Sequence, residues 1–535
     1  MDQRIRGEQP AAGAVRAANP YIRDMTLLLG LDIGTSGTKA LLCDSAGEVL
    51  ATANAPHDVS SPKPAWSEQD PQQWWDACGK AAKSVLRKAK ARKADVAAVG
   101  LSGQMHGSVF LDKSAEVLRP AILWNDQRTA EQCDAIEAAA GGRKALIKMV
   151  GNPALTGFTA PKILWFREHE PKRFAKTARV LLPKDYVRLL MTGEHATDVS
   201  DASGTLLLDV ARRKWNTTLM GKLELDPELM PPLFESHQIT GELHREAAKH
   251  LGLKPGTPVV GGGGDQPCGA VGNGVTASGV VAATLGTSGV VFAHADEPTY
   301  DREGRVHTMC SAVAGKWCVF GCMLAAGGSF QWLRDTLAQH EKIEASRLKV
   351  DPYELLTHEA SAAPPGCEGL FFLPYLTGER CPHPDPKARG GWIGLTARHD
   401  RAAMIRSVME GVTFGMADQL AILDEMGVKV RTVRLSGGGA RSAFWRQMQS
   451  EIYGKTVATI NSDEGPAYGA AILAGVGAGA WKNVPTACRE IIHETDRMRP
   501  TPKMKKHYAA LHEQYRRLYP ALRDEMHRID SLTHD

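Results

Sequence analysis

The sequence has little that would suit a membrane, secreted or nucleic-acid-binding protein. No uncharged apolar run is long enough to cross a bilayer. The 64 basic and 60 acidic residues nearly balance, so we expect neither nucleic acid nor an anionic membrane as a partner. The ten cysteines include no CxxC pair and no zinc-like spacing, which favours reduced thiols in a cytoplasmic protein.

Two common nucleotide-binding motifs are missing as well. A dinucleotide site needs GxGxxG at the start of a helix, but Gly262–Gly264 is followed by Asp-Gln-Pro. A P-loop needs GxxxxGK[ST], and only its last three residues occur, at Gly454–Thr456, because Gln449 stands where the first glycine is required. A nicotinamide dehydrogenase is therefore disfavoured, and a nucleotide would have to be held by other glycine turns.

A short internal repeat divides the chain. Gly34–Gly37, with the sequence Gly-Thr-Ser-Gly, recurs as Gly286–Gly289 at an offset of 286 − 34 = 252. Both copies lie between apolar, β-rich runs, a pattern typical of a hairpin of two strands. Since 535 residues are too many for one hydrophobic core, we predict two related domains, at 26–273 and 274–525.

Strands and helices alternate between the two copies, which predicts an α/β fold with sheets covered by helices. The predicted buried strands include Val96–Leu101, Val180–Leu182 and Val259–Val260. Helices are predicted around 71–92, 127–149, 161–168, 328–345, 401–425 and 443–453.

The two ends of the chain are interpreted differently. A helix at 503–528 places five apolar residues on one stripe, as a packing helix does: Tyr508, Leu511, Tyr515, Leu518 and Leu522. Residues 1–25 are interpreted as a disordered N-terminal extension, or as the result of a start site upstream of Met25. A transit peptide is disfavoured because this segment contains acidic residues.

The two Gly-Thr-Ser-Gly turns are candidates for phosphate binding. Backbone N–H groups and hydroxyls in a tight turn suit phosphate oxygens, and the candidate ATP-binding residues are Thr35, Ser36, Gly286 and Thr287. Asp32 lies two residues before the first turn, near where Mg²⁺ would bridge the phosphates. The alternative is a pair of ordinary glycine hairpins with a surface aspartate.

Two further glycine runs follow strands. Gly437, Gly438 and Gly439 would let the backbone lie flat against the adenosine of a nucleotide, or would form only a tight turn between a strand and a helix. Gly261–Gly264 would let Asp265 approach a ligand at the end of a strand and take a proton from a sugar hydroxyl. Asp265 could equally cap the helix that begins near position 267.

Two polar segments also follow apolar runs. His106, preceded by Gln104 and Met105, lies in a loop between glycines, which favours a functional role over a structural one. The segment Trp124–Arg128 could hydrogen-bond a polyol, but Asp126 could equally cap a helix that begins at 127.

These motifs, in this order, resemble the FGGY carbohydrate kinases, and within that family the xylulose kinases. The resemblance runs from about Leu27 to about Leu522, which is nearly the whole chain. The segments that carry it are Leu31–Lys39, Gly103–Gly107, Trp124–Arg128, Gly157–Phe166, Gly390–Leu395 and Ser407–Glu410. Gln-Met-His-Gly at 104–107 is the motif that separates xylulose kinases from glycerol kinases.

The resemblance implies two ribonuclease-H-like domains around a cleft, as in actin and hexokinase. It also implies phosphoryl transfer from Mg-ATP to the O5 hydroxyl of D-xylulose. The matching positions make Asp265 the general base and place Asp32 near Mg²⁺ and the γ-phosphate. Met105 and His106 match the sugar-binding pair, with Gln104 and Gln266 beside them. Thr287 and the glycines at 437–439 match the ATP side.

Several alternatives stay open at this point. Gln266 stands where xylulose kinases often carry asparagine, so another pentulose, a hexulose or a polyol is an alternative substrate. A protein of another class, an actin-like ATP-binding regulator without turnover, is a second alternative, against which the intact Asp265 and Asp32 count. For the assembly, a homodimer is the alternative to a monomer.

Overall fold

Each half of the chain forms one seven-stranded sheet in the computed structural model, which describes residues 26–533. The disordered extension predicted at 1–25 lies outside the described residues. The predicted boundary between 273 and 274 falls between the last helix of the first half and the first strand of the second half.

The first half contains strands β1–β15 and helices α1–α10. The strands are β1 (Leu27–Ile33), β2 (Gly37–Asp44), β3 (Val49–Pro56), β4 (Glu68–Gln69), β5 (Val96–Gly103), β6 (Val109–Leu111), β7 (Ala121–Ile122), β8 (Arg179–Leu181), β9 (Thr197–Asp198), β10 (Leu208–Asp209), β11 (Lys214–Trp215), β12 (Leu233–Phe234), β13 (Ile239–Glu242), β14 (Pro258–Val260) and β15 (Gly263–Gly264). The helices are α1 (Pro71–Ala89), α2 (Ala130–Ala140), α3 (Arg143–Val150), α4 (Thr159–His169), α5 (Pro171–Phe174), α6 (Pro183–Thr192), α7 (Val199–Ala202), α8 (Thr217–Lys222), α9 (Arg245–Leu251) and α10 (Asp265–Gly272), with 3-10 turns at Ser203–Thr205 and Pro227–Leu229.

The second half continues with strands β16–β24 and helices α11–α18. The strands are β16 (Gly279–Leu285), β17 (Gly289–Ala295), β18 (His307–Cys310), β19 (Trp317–Met323), β20 (Phe371–Leu373), β21 (Gly391–Ile393), β22 (Val430–Ser436), β23 (Thr456–Ile460) and β24 (Glu494–Met498). The helices are α11 (Gly327–Leu337), α12 (Gln339–Leu348), α13 (Pro352–Ala360), α14 (Arg401–Glu425), α15 (Ala443–Tyr453), α16 (Gly465–Gly477), α17 (Val484–Ile491) and α18 (Pro502–Thr533), with 3-10 turns at Cys367–Gly369 and Gly438–Ala440.

The two sheets share one arrangement around the repeated turn. The first has the order β13-β14-β5-β1-β2-β3, with β15 also paired to β5, and the second has the order β18-β19-β17-β16-β22-β23-β24. In each, the strand before the turn pairs antiparallel with the strand after it, β1 with β2 and β16 with β17. The same strand pairs parallel with a later one, β1 with β5 and β16 with β22. The predicted hairpins and the α/β fold of two related halves are therefore confirmed.

Helix α16 comes from the second half but packs against the first sheet. A Cβ atom added at Gly100 of β5 would lie 1.9 Å from the carbonyl oxygen of Ala470. The same helix crosses α10, where a Cβ atom added at Gly469 would lie 1.9 Å from the carbonyl oxygen of Cys268. Glycine at these positions allows the backbones to touch, and this close contact fixes the start of α10.

Two predicted helices are each broken in two. The helix predicted at 127–149 begins at Ala130 and is interrupted between α2 and α3, where Gly141 adopts a φ of 93° that favours glycine. The helix predicted at 328–345 is interrupted at Ala338, which separates α11 from α12 with a φ of −120°.

Both capping hypotheses from the sequence are wrong. Helix α2 has Thr129 as its N-cap, and the buried Asp126 instead accepts hydrogen bonds from the Ser67 backbone N–H and the Arg128 guanidinium. Helix α10 begins at Asp265 itself, with Gly264 at the N-cap position and no side-chain capping bond.

The C-terminal helix α18 packs as the sequence predicted. Tyr508 and Tyr515 are 0% and 1% exposed, and Leu511, Leu518 and Leu522 contact the core of the second half. No helix within residues 26–533 is long and apolar enough to cross a membrane.

Candidate active site

Two carboxylates meet at the carboxyl ends of the central strands of the first sheet. Asp32 near the end of β1 lies opposite Ser102 of β5, and Ser102 lies opposite Gly263 of β15. Asp265 follows β15 directly as the first residue of α10. The Ser102 hydroxyl donates a hydrogen bond of 2.8 Å to the Asp32 carboxylate.

Burial changes the acidity of both groups. It raises the pKa of Asp265 to about 7, and the negative charge of Asp32 adds to this rise, while hydrogen bonds from Gln266 offset part of it. Burial also raises the pKa of Asp32, against the opposing effects of the Ser102 hydrogen bond and the Lys39 charge. A carboxyl group with a pKa near 7 suits a general base at neutral pH.

A buried charge cluster supports the glycine run that leads to Asp265. Lys184 and Arg188 of α6 lie among Asp185, Asp198 and Asp201, and the side chains of all five are 0% exposed. The Lys184 ammonium lies 2.6 Å from Asp185 and 2.8 Å from Asp198. Arg188 also donates 3.1 Å to the carbonyl of the glycine at 261, in the run that leads to the candidate base. Breaking a buried cluster of this kind is costly, so it holds the glycine run in place.

Hydrogen bonds from two side chains support the first Gly-Thr-Ser-Gly turn. The Trp124 indole donates 2.9 Å to the Thr35 hydroxyl, and the Gln69 amide donates 2.6 Å to the Thr35 carbonyl. Ser36 at the tip of the turn is exposed. Trp124 therefore supports this turn. The position of Trp124 is explained by that hydrogen bond, without a contact to a polyol.

Gln104 also supports the turn. Its side chain is buried, with 1% of the residue exposed, and it donates 2.8 Å to Gln69 and 3.4 Å to the carbonyl of Gly34. These hydrogen bonds show that Gln104 supports the first Gly-Thr-Ser-Gly turn. Its predicted contact with the sugar stays a prediction.

Met105 and His106 follow the end of β5, and Met105 lies beside the residue that precedes the candidate base. Met105 packs against Gly264, where an added Cβ atom would lie 2.6 Å from the Met105 Cγ. The His106 Nδ1 lies 2.8 Å from the carbonyl oxygen of Gly204. A carbonyl only accepts, so Nδ1 carries the proton and Nε2 is free to accept a hydrogen bond. Burial lowers the pKa of His106 well below its usual range and keeps the ring neutral.

The second Gly-Thr-Ser-Gly turn opens onto a cavity of about 580 Å³ in the second half. Of the predicted ATP-binding residues, Gly286, Thr287, Gly438 and Gly439 line it. Its other lining residues come from α11, α13, α15 and their flanking loops, and include Phe330, Tyr353, Arg441 and Trp445. This volume lies within the usual range for small-molecule sites, and its mixed aromatic and glycine lining suits a nucleoside.

Gly437, the first of the three glycines after β22, does not line this cavity. It lines a neighbouring cavity of about 420 Å³, which also contacts Gly438 and Arg441. Its φ of 80° favours glycine, and an added Cβ atom would lie 2.6 Å from the Leu285 carbonyl oxygen. Gly437 therefore makes the turn that lets the next two glycines line the larger cavity.

The equivalent positions of the two halves carry different chemistry. Asp32 and Ser102 pair across β1 and β5, and the offset of 252 places Thr284 of β16 where Asp32 stands. Thr284 bonds Ser436 of β22 at 2.8 Å, as Asp32 bonds Ser102. The second half therefore has a threonine where the first half has Asp32. Both Asp32 and Asp265 lie in the first half.

Sequence reasoning gave no role to several of these residues. Lys162 of α4 meets the His106 carbonyl, 56 residues earlier in the chain, only in the folded protein. Lys184 of α6 likewise meets Asp198 and Asp201 only through folding.

Among residues 26–533, no group of three or more histidine, cysteine or acidic side chains is arranged to hold a metal by itself. The carboxylates Asp32 and Asp265 nevertheless suit a hard divalent cation that keeps most of its ligands from phosphate and water.

The paired carboxylates of the first half and the nucleoside-sized cavity of the second half suit a two-domain phosphotransferase. The chain matches the family model "FGGY family of carbohydrate kinases, N-terminal domain" over residues 27–272 and the C-terminal model over 281–478. The chain belongs to the FGGY family of carbohydrate kinases.

Individual relatives cover nearly the whole chain. It is 41% identical to a xylulose kinase of Escherichia coli strain K12, over 93% of this chain and 99% of that protein. The crystal structure of a xylulose kinase from Rhodospirillum rubrum is similar with a TM-score of 0.86 and 29% identity, over 94% of this chain and 100% of the other. A gluconate kinase structure from Lactobacillus acidophilus has a TM-score of 0.85 and 26% identity, over 93% and 98%.

Proposed function

We propose that this carbohydrate kinase transfers the γ-phosphoryl group of ATP to O5 of D-xylulose, with Asp265 as the general base. The observation that carries the proposal is Asp265, which lies directly after β15 beside Asp32 and whose pKa is raised to about 7 by burial and by the Asp32 charge. The similarity to xylulose kinases over nearly the full chain supports the choice of sugar.

Each side chain has one task in the proposed mechanism. Met105 packs against one face of the sugar, and the free His106 Nε2 accepts a hydrogen bond from a sugar hydroxyl. Asp265 orients O5 and accepts its proton, late in the transfer because the transition state is loose. Gln266 bonds Asp265 and so aims the carboxylate as well as bordering the sugar.

The phosphate side of the cleft is built from the two turns. Thr35, Ser36, Gly286 and Thr287 would hold the phosphates, and the 580 Å³ cavity would hold the adenosine. Asp32 would hold Mg²⁺, which supplies neutralisation of phosphate charge when it is bound. Closure of the cleft would exclude water, the competing nucleophile.

The compartment and the assembly remain proposals of the same kind. All ten cysteines are free thiols and all except Cys322 are buried, which suits a cytoplasmic, reducing compartment. A homodimer stays a prediction that a sedimentation measurement would decide.

Replacement of the base tests the proposed role. Asp265→Asn is expected to lower kcat by about 10²- to 10⁴-fold, the usual contribution of general-base catalysis, with a smaller change in sugar affinity. In the wild type, kcat/KM should rise with pH up to about 7 as the carboxylate forms. A variant with near-normal kcat would rule out this role for Asp265.

A substrate panel tests the choice of sugar. With a coupled ADP assay, D-xylulose should give a higher kcat/KM than other pentuloses, hexuloses, gluconate and glycerol. A higher kcat/KM for another sugar would support the kinase activity but show that D-xylulose is not the preferred substrate. Absence of sugar-stimulated ADP release with every compound would favour an actin-like regulator instead.

A further inference from the structure

Lys162 is a fully buried lysine whose side chain bonds only backbone carbonyls among residues 26–533. It is 0% exposed, and its Nζ donates to the carbonyls of His106 at 2.9 Å and Gly157 at 2.5 Å. Burial lowers the pKa of Lys162 to about 7, against the opposing negative charge of Asp126. Burying an amine that can carry a charge is costly, so a lysine bonded only to carbonyls calls for an explanation.

The backbone of His106 adopts a conformation that needs support. Its φ of 69° lies in the left-handed region, which is unfavourable for a residue with a Cβ atom. Its carbonyl oxygen accepts from Lys162 and also from the Thr159 hydroxyl at 3.0 Å. Lys162 and Thr159 are one turn apart at the start of α4, so one end of this helix supplies both hydrogen bonds to the His106 carbonyl.

The ring of His106 is fixed separately. Nδ1 donates to the Gly204 carbonyl, and Phe158 packs edge-on against the ring with the centroids 4.8 Å apart. Backbone and ring contacts together leave Nε2 as the one ring atom that can accept a hydrogen bond. The direction in which Nε2 points depends on the left-handed backbone of His106. It therefore depends on the hydrogen bonds from Lys162 and Thr159 to the His106 carbonyl.

We infer that Lys162 is a positioning residue for sugar binding, which locks the His106 backbone so that the ring Nε2 points at the substrate. This inference rests on the proposed function of His106 as a sugar ligand. Lys162 itself does not touch the sugar, and it acts through the His106 carbonyl.

A purely structural role predicts a different outcome from substitution. Methionine matches lysine in length and is cheaper to bury, so Lys162→Met should fold with little change in Tm if packing is all that matters. The positioning role predicts a specific loss at the sugar site in the same folded protein.

The kinetic test compares three variants of the full chain. Lys162→Met should raise KM for the sugar about tenfold or more with KM for ATP unchanged, and Thr159→Val should raise it about two- to fivefold. Lys88→Met is the matched control, because Lys88 donates 2.8 Å to the Thr52 carbonyl on the surface. It should leave all constants within about twofold.

A spectroscopic test does not depend on which sugar is the substrate. In protein labelled with ¹⁵N-histidine, the His106 signals are assigned by their loss in His106→Asn. The wild type should show one Nδ1-protonated tautomer, and Lys162→Met should shift these signals or split them between two states. This readout still applies if D-xylulose proves to be the wrong sugar, so failure of the substrate and failure of the inference are distinguishable.

Two outcomes would overturn the inference. One is a folded Lys162→Met that keeps both the wild-type His106 signals and a sugar KM within about twofold. If Lys162→Met does not fold, Thr159→Val decides, and an unchanged His106 signal with an unchanged sugar KM in that variant counts against the role of the hydrogen bonds to the His106 carbonyl.

Discussion

A carboxyl group that must act as a base near neutral pH is costly to keep in a folded protein. Asp265 is half-buried beside a second carboxylate, Asp32, and the loss of solvent and the Asp32 charge together raise its pKa from 3.8 to about 7. The folded state therefore binds the proton of Asp265 more tightly than the unfolded state does. Active sites commonly carry such a stability cost in exchange for chemistry.

This cost gives a pH-dependent prediction for stability. The contribution of Asp265 to stability is fully present below about pH 4 and is lost as the pH rises to about 7. The neutral Asp265→Asn escapes that loss. Its Tm relative to the wild type should therefore increase between pH 5 and pH 8, by about 2 °C or more.

Thermal unfolding at the two pH values measures this difference. The exposed Asp134→Asn serves as the control and should show the same Tm relative to the wild type at both. An Asp265→Asn whose Tm difference does not change with pH would mean that the raised pKa is wrong.

At the scale of elements, the placement of Asp265 depends on a crossing of two helices. Helix α10 begins with Asp265 and crosses α16 at Gly469, where an added Cβ atom would lie 1.9 Å from the Cys268 carbonyl oxygen and 2.7 Å from its carbon. Both neighbours are backbone atoms of α10, so a side chain at 469 must push that helix away.

Gly469→Ala is therefore expected to lower both stability and activity. Overpacking of this kind costs about 1–3 kcal/mol, and the displaced α10 should reduce kcat more than the nucleotide affinity. Gly221→Ala is the matched control, because Gly221 lies inside α8 with nothing within 4 Å of an added Cβ atom. It should be neutral or slightly stabilising, since alanine favours helix over glycine. Equal Tm values for the two variants would contradict the tight crossing.

The elements differ in how far the sequence could predict them. Glycines after apolar strands predicted both hairpins and the position of Asp265 at the end of a strand, because glycine signals a backbone requirement that is local. The break at Gly141 was missed although Gly141-Gly142 is a local turn signal. The break at Ala338 has no glycine or proline beside it that would have predicted it. The hydrogen bond from Lys162 to the His106 carbonyl joins residues that are distant in sequence. No local sequence pattern predicts such a contact.

At the scale of the whole molecule, one topology occurs twice with the chemistry on one side only. The offset of 252 relates Asp32 to Thr284, and both bond a serine on the neighbouring parallel strand. The first half keeps the carboxylates and His106, the proposed sugar ligand. The second half keeps the cavity of about 580 Å³ beside Gly286 and Gly438. The sequence predicted the relation between the halves, and the family resemblance predicted sugar on the first and ATP on the second. The structure adds that the Asp32 carboxylate is replaced by the Thr284 hydroxyl at the equivalent position.

The proposed division of sugar and ATP between the two halves makes the position of the new phosphate ester the most direct test of the account. The wild-type protein would be incubated with Mg²⁺, ATP and ¹³C-labelled D-xylulose, and the product examined by ³¹P and ¹³C NMR. The account predicts a sugar monophosphate whose phosphorus couples to C5, formed together with ADP. A phosphate on another carbon, or release of inorganic phosphate without any sugar ester, would contradict it.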